Sequence, residues 1–424
     1  MKIHSRTHLS GQYLIPGDKS ISHRSIMFGS IAIGTTYISN FLTGADCYST
    51  MNCFRSMGIT IQENPSCIRV IGKGLHGLSK PSTTLDVGNS GTTTRLLSGI
   101  LAGQNFSSIL SGDDSLNSRP MKRIQDPLQL MGANIESINN DHCAPLCIQP
   151  STLHGITYHS PIASAQVKSA ILLAGLYADS TTTVIEPTLS RNHTELMLQQ
   201  YGASLITEDS NITIQPANEL YAQEVIIPGD ISSAAYYIAA ALLVPHSEIL
   251  IPNVGINPTR AGILEVCKQM GAHITLENLR TSGGEPVADL LVSTSELHGI
   301  VIGGNIIPTL IDEIPIIAVL AACATGTTII RDAAELKVKE SNRIDTIAVN
   351  LRAMGTSVTA TADGLIIEGG RNLSGCQIQS YHDHRIAMAF AIAGLVATGE
   401  TEILNSECVD ISFPGFWTSP LFHL

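Results

Sequence analysis

Ile15-Pro16-Gly17-Asp18-Lys19-Ser20-Ile21-Ser22-His23-Arg24 and Ile227-Pro228-Gly229-Asp230-Ile231-Ser232-Ser233 open on the same four residues, and each leads into an apolar run. A proline-glycine pair suits a turn or hinge better than an element interior, so each stretch reads as a joint followed by a helix. The style recurs along the chain. Turns rich in Gly, Ser, Pro or Asp lead into apolar helical runs at Gly17–Ile33, Gly88–Gly103, Ser160–Tyr177, Gly229–Leu243, Asp312–Gly326 and Asp383–Thr398, about every seventy to eighty residues.

Within five of these copies, roughly forty residues on, a second helical pattern ends in Met-Gly or Tyr-Gly, at Gly58, Gly132, Gly202, Gly271 and Gly355. Each glycine fits the left-handed position that closes a helix, and the segment after it alternates as a half-buried strand does, as in Ala272-His273-Ile274-Thr275-Leu276. The unit is two helices interleaved with strands. The sixth copy meets the end of the sequence, so its missing strand is expected from the segment before Pro16. That count predicts three units per domain: a discontinuous domain of residues 1–16 with 229–424, and an inserted domain of residues 17–228.

Length and composition agree with this reading. A chain of 424 residues exceeds what one hydrophobic core usually serves, and 44% hydrophobic against 14% charged residues excludes disorder. A net charge of −12 argues against nucleic acid or an anionic membrane as partner. No run of about 18 apolar residues marks a membrane span. Nine cysteines without paired spacing, and no secretory leader pattern, predict a cytoplasmic protein without a disulfide framework. His142, Cys143 and Cys147 are the nearest approach to a zinc signature, but no second ligand pair accompanies them, so neither metal nor cofactor is expected.

Six helix starts of one style point to one shared place. Free N–H groups and the macrodipole make a helix N-terminus receptive to anions. If the six converge on a cleft between the domains, the ligand is strongly anionic. Lys19 at such a start is unfavourable to the macrodipole unless something negative compensates it.

The run Pro16 to Arg24 resembles a motif of the enolpyruvyl transferases over nine positions. Gly88-Asn89-Ser90-Gly91-Thr92-Thr93-Thr94-Arg95, Arg119-Pro120-Met121, Ser164-Ala165-Gln166-Val167-Lys168, Arg191-Asn192-His193-Thr194-Glu195, Asp312-Glu313, Lys339-Glu340-Ser341-Asn342-Arg343 and Asp383-His384-Arg385 continue the resemblance, and together they identify the 5-enolpyruvylshikimate-3-phosphate synthases. The resemblance implies a two-domain α/β fold, an inside-out α/β barrel of six βαβαββ-type units, acting as a monomer on phosphoenolpyruvate and shikimate-3-phosphate. It assigns Lys19, Ser20, Arg24, Ser164, Ala165, Gln166, Arg191, Asp312 and Lys339 to shikimate-3-phosphate. Lys19, Gly91, Arg119, Gln166, Arg343 and Arg385 go to phosphoenolpyruvate. Asp312, Glu340 and Lys19 are the catalytic candidates, with Asp312 as base toward the 5-hydroxyl and Glu340 toward the methylene proton. Lys339 and Arg343 flank Glu340 and should depress its pKa, which argues against a resting general acid. Arg95 and Lys168 are read as braces and His193 as a packed or capping residue.

The chain departs from the better-known bacterial branch at Leu96, where a proline is common, and at Ile411-Ser412, where a lysine is expected before Phe413-Pro414. With Gly-Asp-Lys-Ser at residues 17–20, Ser164 to Lys168, Arg191 to Glu195 and Asn257-Pro258-Thr259-Arg260, it resembles the second, glyphosate-tolerant class, although Gly91 keeps the small residue of sensitive enzymes. The alternatives are a transferase acting on UDP-N-acetylglucosamine, disfavoured by the Lys19 to Arg24 run, a non-catalytic anion-binding protein, disfavoured by Asp312 and Glu340, and an RNA-end-modifying enzyme, disfavoured by the acidic charge.

Overall fold

A computed structural model describes residues 1–64 and 66–423. The chain divides into two compact units. One holds Met1–Pro16, Pro228–Thr281 and the chain from Pro286 onward; the other holds Gly17–Ile227 and the short turn Ser282–Glu285.

Each repeat contributes one sheet built to one plan. In the second repeat, Leu85–Asp86 runs parallel to Ser108–Ser111, which pairs antiparallel with Leu146–Gln149, which pairs antiparallel with Asn134–Ser137. Five sheets have these four strands. In the first repeat the parallel strand is borrowed: Glu224–Ile226, from the far end of the same unit, lies beside Ile33–Ser39 with Val225 opposite Ile38. The N-terminal segment is used twice. Ser10–Gln12 joins Glu248–Gly255, and Lys2–Ile3 pairs antiparallel with Thr401–Leu404 to give the sixth sheet its third strand. That sheet stops at three, and after it the short 3₁₀ turn Ser406–Ile411 stands where other repeats have a second helix.

The leading helices form the centre of each unit. Ile231–Leu243, Ile314–Cys323 and His384–Gly394 pack against one another inside the first unit. Ile231–Leu243 and Ile314–Cys323 carry no charged residue, and a helix apolar all round has to be buried. In the other unit Lys19–Ile31 and Ala165–Gly175 flank Gly91–Ala102. The sheets cover the helices from outside and bury one face. In Leu365–Glu368, for example, Leu365 and Ile367 point inward and Glu368 outward. Among the described residues no single helix is long and apolar enough to cross a membrane.

Five of the six leading helices are capped by a side chain, as the turn-rich starts require. Asp18 accepts from the Ile21 N–H, Ser90 from Thr93, Ser164 from Val167, Asp230 from Ser232 and Asp383 from Arg385. Each such cap contributes about 1 kcal/mol. The sixth, Ile314–Cys323, uses Pro315 near its start instead, where a missing N–H costs nothing. The five glycines that close the second helices have φ between 85° and 94°, the left-handed region where a Cβ is unfavourable.

Candidate active site

In the unit containing residues 17–227, Lys19 is the first residue of its helix. The negative charge that compensates it is Asp46, in the first turn of helix Ala45–Ser56, whose carboxylate pairs with the Lys19 ammonium. The compensating charge expected at this helix start is thus supplied by the protein itself. One turn further, Arg24 is 3% exposed and spends donors on the protein. Nε bonds Thr194 Oγ1 at 2.7 Å, Nη1 the Ser20 carbonyl at 3.0 Å and Nη2 Ser169 Oγ at 2.9 Å. Burial pulls its pKa down to about 10, against the pull of Glu195 and Asp18. Arg24 thus ties the turn bearing Ser20 to the helices bearing Ser169 and Thr194, and Arg191 adds a second positive charge beside it.

A second cluster forms around Gly91. A Cβ there would lie 2.8 Å from Arg95 Nη1 and 3.7 Å from Arg119 Nη1, so two guanidiniums approach this helix start as closely as a glycine allows. Arg119 is held by Asn89 Oδ1 at 2.5 Å and the Asn89 carbonyl at 3.3 Å. Arg95 Nη1 donates to Gln166 Oε1 at 2.7 Å, while Gln166 Nε2 donates to Thr92 Oγ1 at 3.1 Å. Gly91, Arg119 and Gln166 therefore share one half-buried patch, with Ser164 and Ala165 at the start of the helix that carries Gln166. Lys168 points away from it. Its ammonium is buried between Glu186 at 2.8 Å, Glu195 at 2.7 Å and the Ser190 carbonyl at 3.2 Å. His193 is buried as well, with Nδ1 against Glu285 at 2.7 Å.

The other unit assembles Asp312, Lys339, Glu340, Arg343 and Arg385. Arg343, 1% exposed, grips three carboxylates: Asp383 through Nε at 2.8 Å, Glu340 through Nη2 at 2.6 Å and Asp312 through Nη1 at 3.4 Å. Lys339 Nζ stands 3.6 Å from Asp312 Oδ1. Arg385 Nη1 donates to the Asp312 carbonyl at 3.0 Å. Burial works to raise the Glu340 carboxyl, but the Arg343 guanidinium and His384 outweigh it and hold it well below the usual range. Asp383 is balanced the same way by Arg343. Burial opposes the charge on Arg385, and Asp312 with neighbouring acidic groups more than restores it. Glu340 is thus a carboxylate at neutral pH, able to accept a proton or guide one, and a proton it donates has first to be delivered to it.

Several residues that position this machinery are given no role by the reading of the motifs. Asp46 holds Lys19, Asn89 holds Arg119, Asp383 holds Arg343, and Glu313 lies 3.4 Å from Arg385. Asn89, Asp383 and Glu313 stand inside the quoted motifs, whereas Asp46 comes from another helix and no sequence spacing points to it. Among the described residues no group of three or more His, Cys, Asp and Glu side chains stands ready to hold a metal ion.

With sheets outside and helices inside each unit, and Lys19, Arg343 and Arg385 held by carboxylates at or beside helix starts, the fold presents patches of the class suited to small, multiply charged anions. The chain belongs to the EPSP synthase family (3-phosphoshikimate 1-carboxyvinyltransferase), whose pattern it matches over residues 3–419. It is 55% identical to a 3-phosphoshikimate 1-carboxyvinyltransferase of Thermoanaerobacter sp. (strain X514) and 54% identical to that of Brevibacillus brevis, each alignment covering 98% of both chains. Among solved structures, an EPSP synthase from Acinetobacter baumannii matches with a TM-score of 0.91 at 45% identity, covering 98% of this chain and 96% of that one. The enolpyruvyl transferase NikO from Streptomyces tendae shares the fold, with a TM-score of 0.79 at 17% identity. The chain is accordingly a transferase of the shikimate route to aromatic amino acids.

Proposed function

We propose that the two clusters act on one pair of substrates, adding the 5-hydroxyl of shikimate-3-phosphate to the enol carbon of phosphoenolpyruvate and then eliminating phosphate from a tetrahedral intermediate. The observation that carries this reading is the grouping of Asp312, Lys339, Glu340, Arg343 and Arg385 within one turn-rich patch, two carboxylates poised among three cations. Planar guanidiniums suit carboxylate and phosphate, so Arg119, Arg343 and Arg385 receive phosphoenolpyruvate, while Ser20, Arg24, Ser164, Ala165, Gln166, Arg191 and Lys339 receive shikimate-3-phosphate. Lys19, Gly91 and Gln166 are assigned to phosphoenolpyruvate as well, with Lys19 and Gln166 serving both substrates.

Asp312 takes the hydroxyl proton as the C–O bond forms. The methylene carbon gains a proton delivered through Glu340, with Lys19 as an alternative donor, since the Glu340 carboxylate is held ionised by Arg343. In the second half, the C–O bond to phosphate breaks and a methyl proton returns to the same carboxylate. Phosphate release measured with each substrate alone and with both, in the presence of chelator, tests the reading. Release is expected only with both and unchanged by chelator. Release from phosphoenolpyruvate alone, or with UDP-N-acetylglucosamine in place of shikimate-3-phosphate, would overturn it.

A further inference from the structure

Arg260 takes no part in the steps above, yet it lies in a buried charged cluster with Glu313, Asp230 and Arg385. It ends the turn Asn257-Pro258-Thr259-Arg260 just ahead of helix Gly262–Gln269, and its side chain is 4% exposed. Nη1 meets both oxygens of Glu313 at 3.0 Å, Nη2 bonds Ser232 Oγ, and Nη2 also stands 3.5 Å from Asp230 Oδ1. Asp230 and Ser232 belong to the capped start of helix Ile231–Leu243. Glu313 is fully buried and adjoins Asp312 in sequence.

Arg385 uses the same two acceptors. Its Nη1 lies 3.4 Å from Glu313 Oε1 and its Nη2 is 3.3 Å from Ser232 Oγ. Two guanidiniums therefore share one buried carboxylate and one hydroxyl, and Arg260 has the closer contacts to both. A buried carboxylate needs a full compensating charge, and when one partner is removed the remaining cation is drawn in to supply it.

We propose that Arg260 is the positioning residue that keeps Arg385 available to phosphoenolpyruvate. By meeting both Glu313 oxygens through Nη1 at 3.0 Å, it leaves Arg385 only the longer 3.4 Å contact to that carboxylate, so that Arg385 can turn to the substrate's anionic groups. Without Arg260, Glu313 pulls Arg385 inward as its own counter-ion. Arg385 then bonds the carboxylate in place of the ligand. Because Glu313 follows Asp312 directly, the same clamp fixes the backbone carbonyl of Asp312 that Arg385 holds at 3.0 Å. This rests on the function proposed above.

The experiment compares wild type, Arg260→Gln, Arg260→Lys and the double variant Arg260→Gln/Glu313→Gln in steady state, with each substrate varied in turn. Wild-type turnover with both substrates establishes the underlying reading first, and its absence would fault that reading and not the role of Arg260. Arg260→Gln is expected to raise KM for phosphoenolpyruvate roughly ten- to a hundred-fold, the effect usual for a residue that orients a ligand-binding side chain from behind. KM for shikimate-3-phosphate should stay within about twofold. Arg260→Lys keeps the charge without the fork and should fall between. In the double variant Glu313 no longer carries the charge that captures Arg385, and KM for phosphoenolpyruvate should return most of the way to wild type. The double variant is also neutral within the core, so it reports even if the single variant folds poorly. An equal rise in both KM values, or a double variant as impaired for phosphoenolpyruvate as Arg260→Gln, would overturn the proposal.

Discussion

Replacing Lys168 by methionine separates a residue that serves the fold from one that serves a ligand. The ammonium donates to Glu186 Oε2 at 2.8 Å and to the Ser190 carbonyl at 3.2 Å, and pairs by charge with Glu195 at 2.7 Å. Lys168 and Glu186 side chains are wholly buried and Glu195 is 3% exposed, so no solvent replaces the lost bonds. Methionine fills the stem volume but leaves two buried carboxylates without their cation. Breaking a buried pair in this way costs about 3–5 kcal/mol. For a unit of about two hundred residues, 1 kcal/mol moves the midpoint by roughly 2–4 °C, so its thermal transition should fall by about 6–20 °C. Differential scanning calorimetry reads that shift, and isothermal titration of shikimate-3-phosphate at a temperature where the variant is folded reads the other half. Restoring balance with Glu186→Gln beside Lys168→Met should recover part of the loss. A midpoint lowered by less than about 2 °C together with a tenfold or greater loss of affinity would refute the reasoning and give Lys168 to the ligand.

Asp312→Asn should fold normally and lower kcat by roughly 10²–10⁴-fold, the contribution of a positioned acid or base, so near-normal turnover would remove Asp312 from the mechanism. His23 is fully buried and burial lowers its pKa to about 3, with Lys19 and Arg24 adding to the effect against Asp46. Since the unfolded chain takes up the proton near 6.5 and the folded one does not, stability is lost as pH falls from 6.5 toward 3, by roughly 1.4 kcal/mol at pH 5.5. His23→Asn should flatten the fall in urea midpoint between pH 7 and 5.5, and an equally steep fall in the variant would exclude His23 as its source. For glyphosate, tolerance is expected because Leu96 frees the helix from a proline's fixed φ and Arg95, only 2.8 Å from where a Gly91 Cβ would stand, narrows this patch. The ratio of its inhibition constant to KM for phosphoenolpyruvate should exceed one, and a ratio well below one would show that Gly91 alone decides the matter.

The sequence by itself determined the architecture, because the repeat is written in local chemistry. Cap-forming Asp and Ser, helix-closing glycines and two different apolar periods act within a few residues of themselves, and five of the six repeats carry such a cap and five such a glycine. The expected use of the segment before Pro16 in the sixth sheet followed from the same count, and Lys2–Ile3 pairs there with Thr401–Leu404. What the count could not give was that the first fifteen residues feed two sheets, through Ser10–Gln12 and Lys2–Ile3, because pairing register is a long-range property. The charged groups divide in the same way. Lys19, Arg343 and Arg385 stood out as cations at or beside helix starts, but which carboxylate holds each one is decided only by folding. Asp46 reaches Lys19 from another helix, Asp383 reaches Arg343 across forty residues, and Glu313 sits between Arg260 and Arg385, which are far apart in the chain. A buried charge takes its partner from whatever the packing brings within about 3–4 Å, and that distance has no trace in sequence spacing.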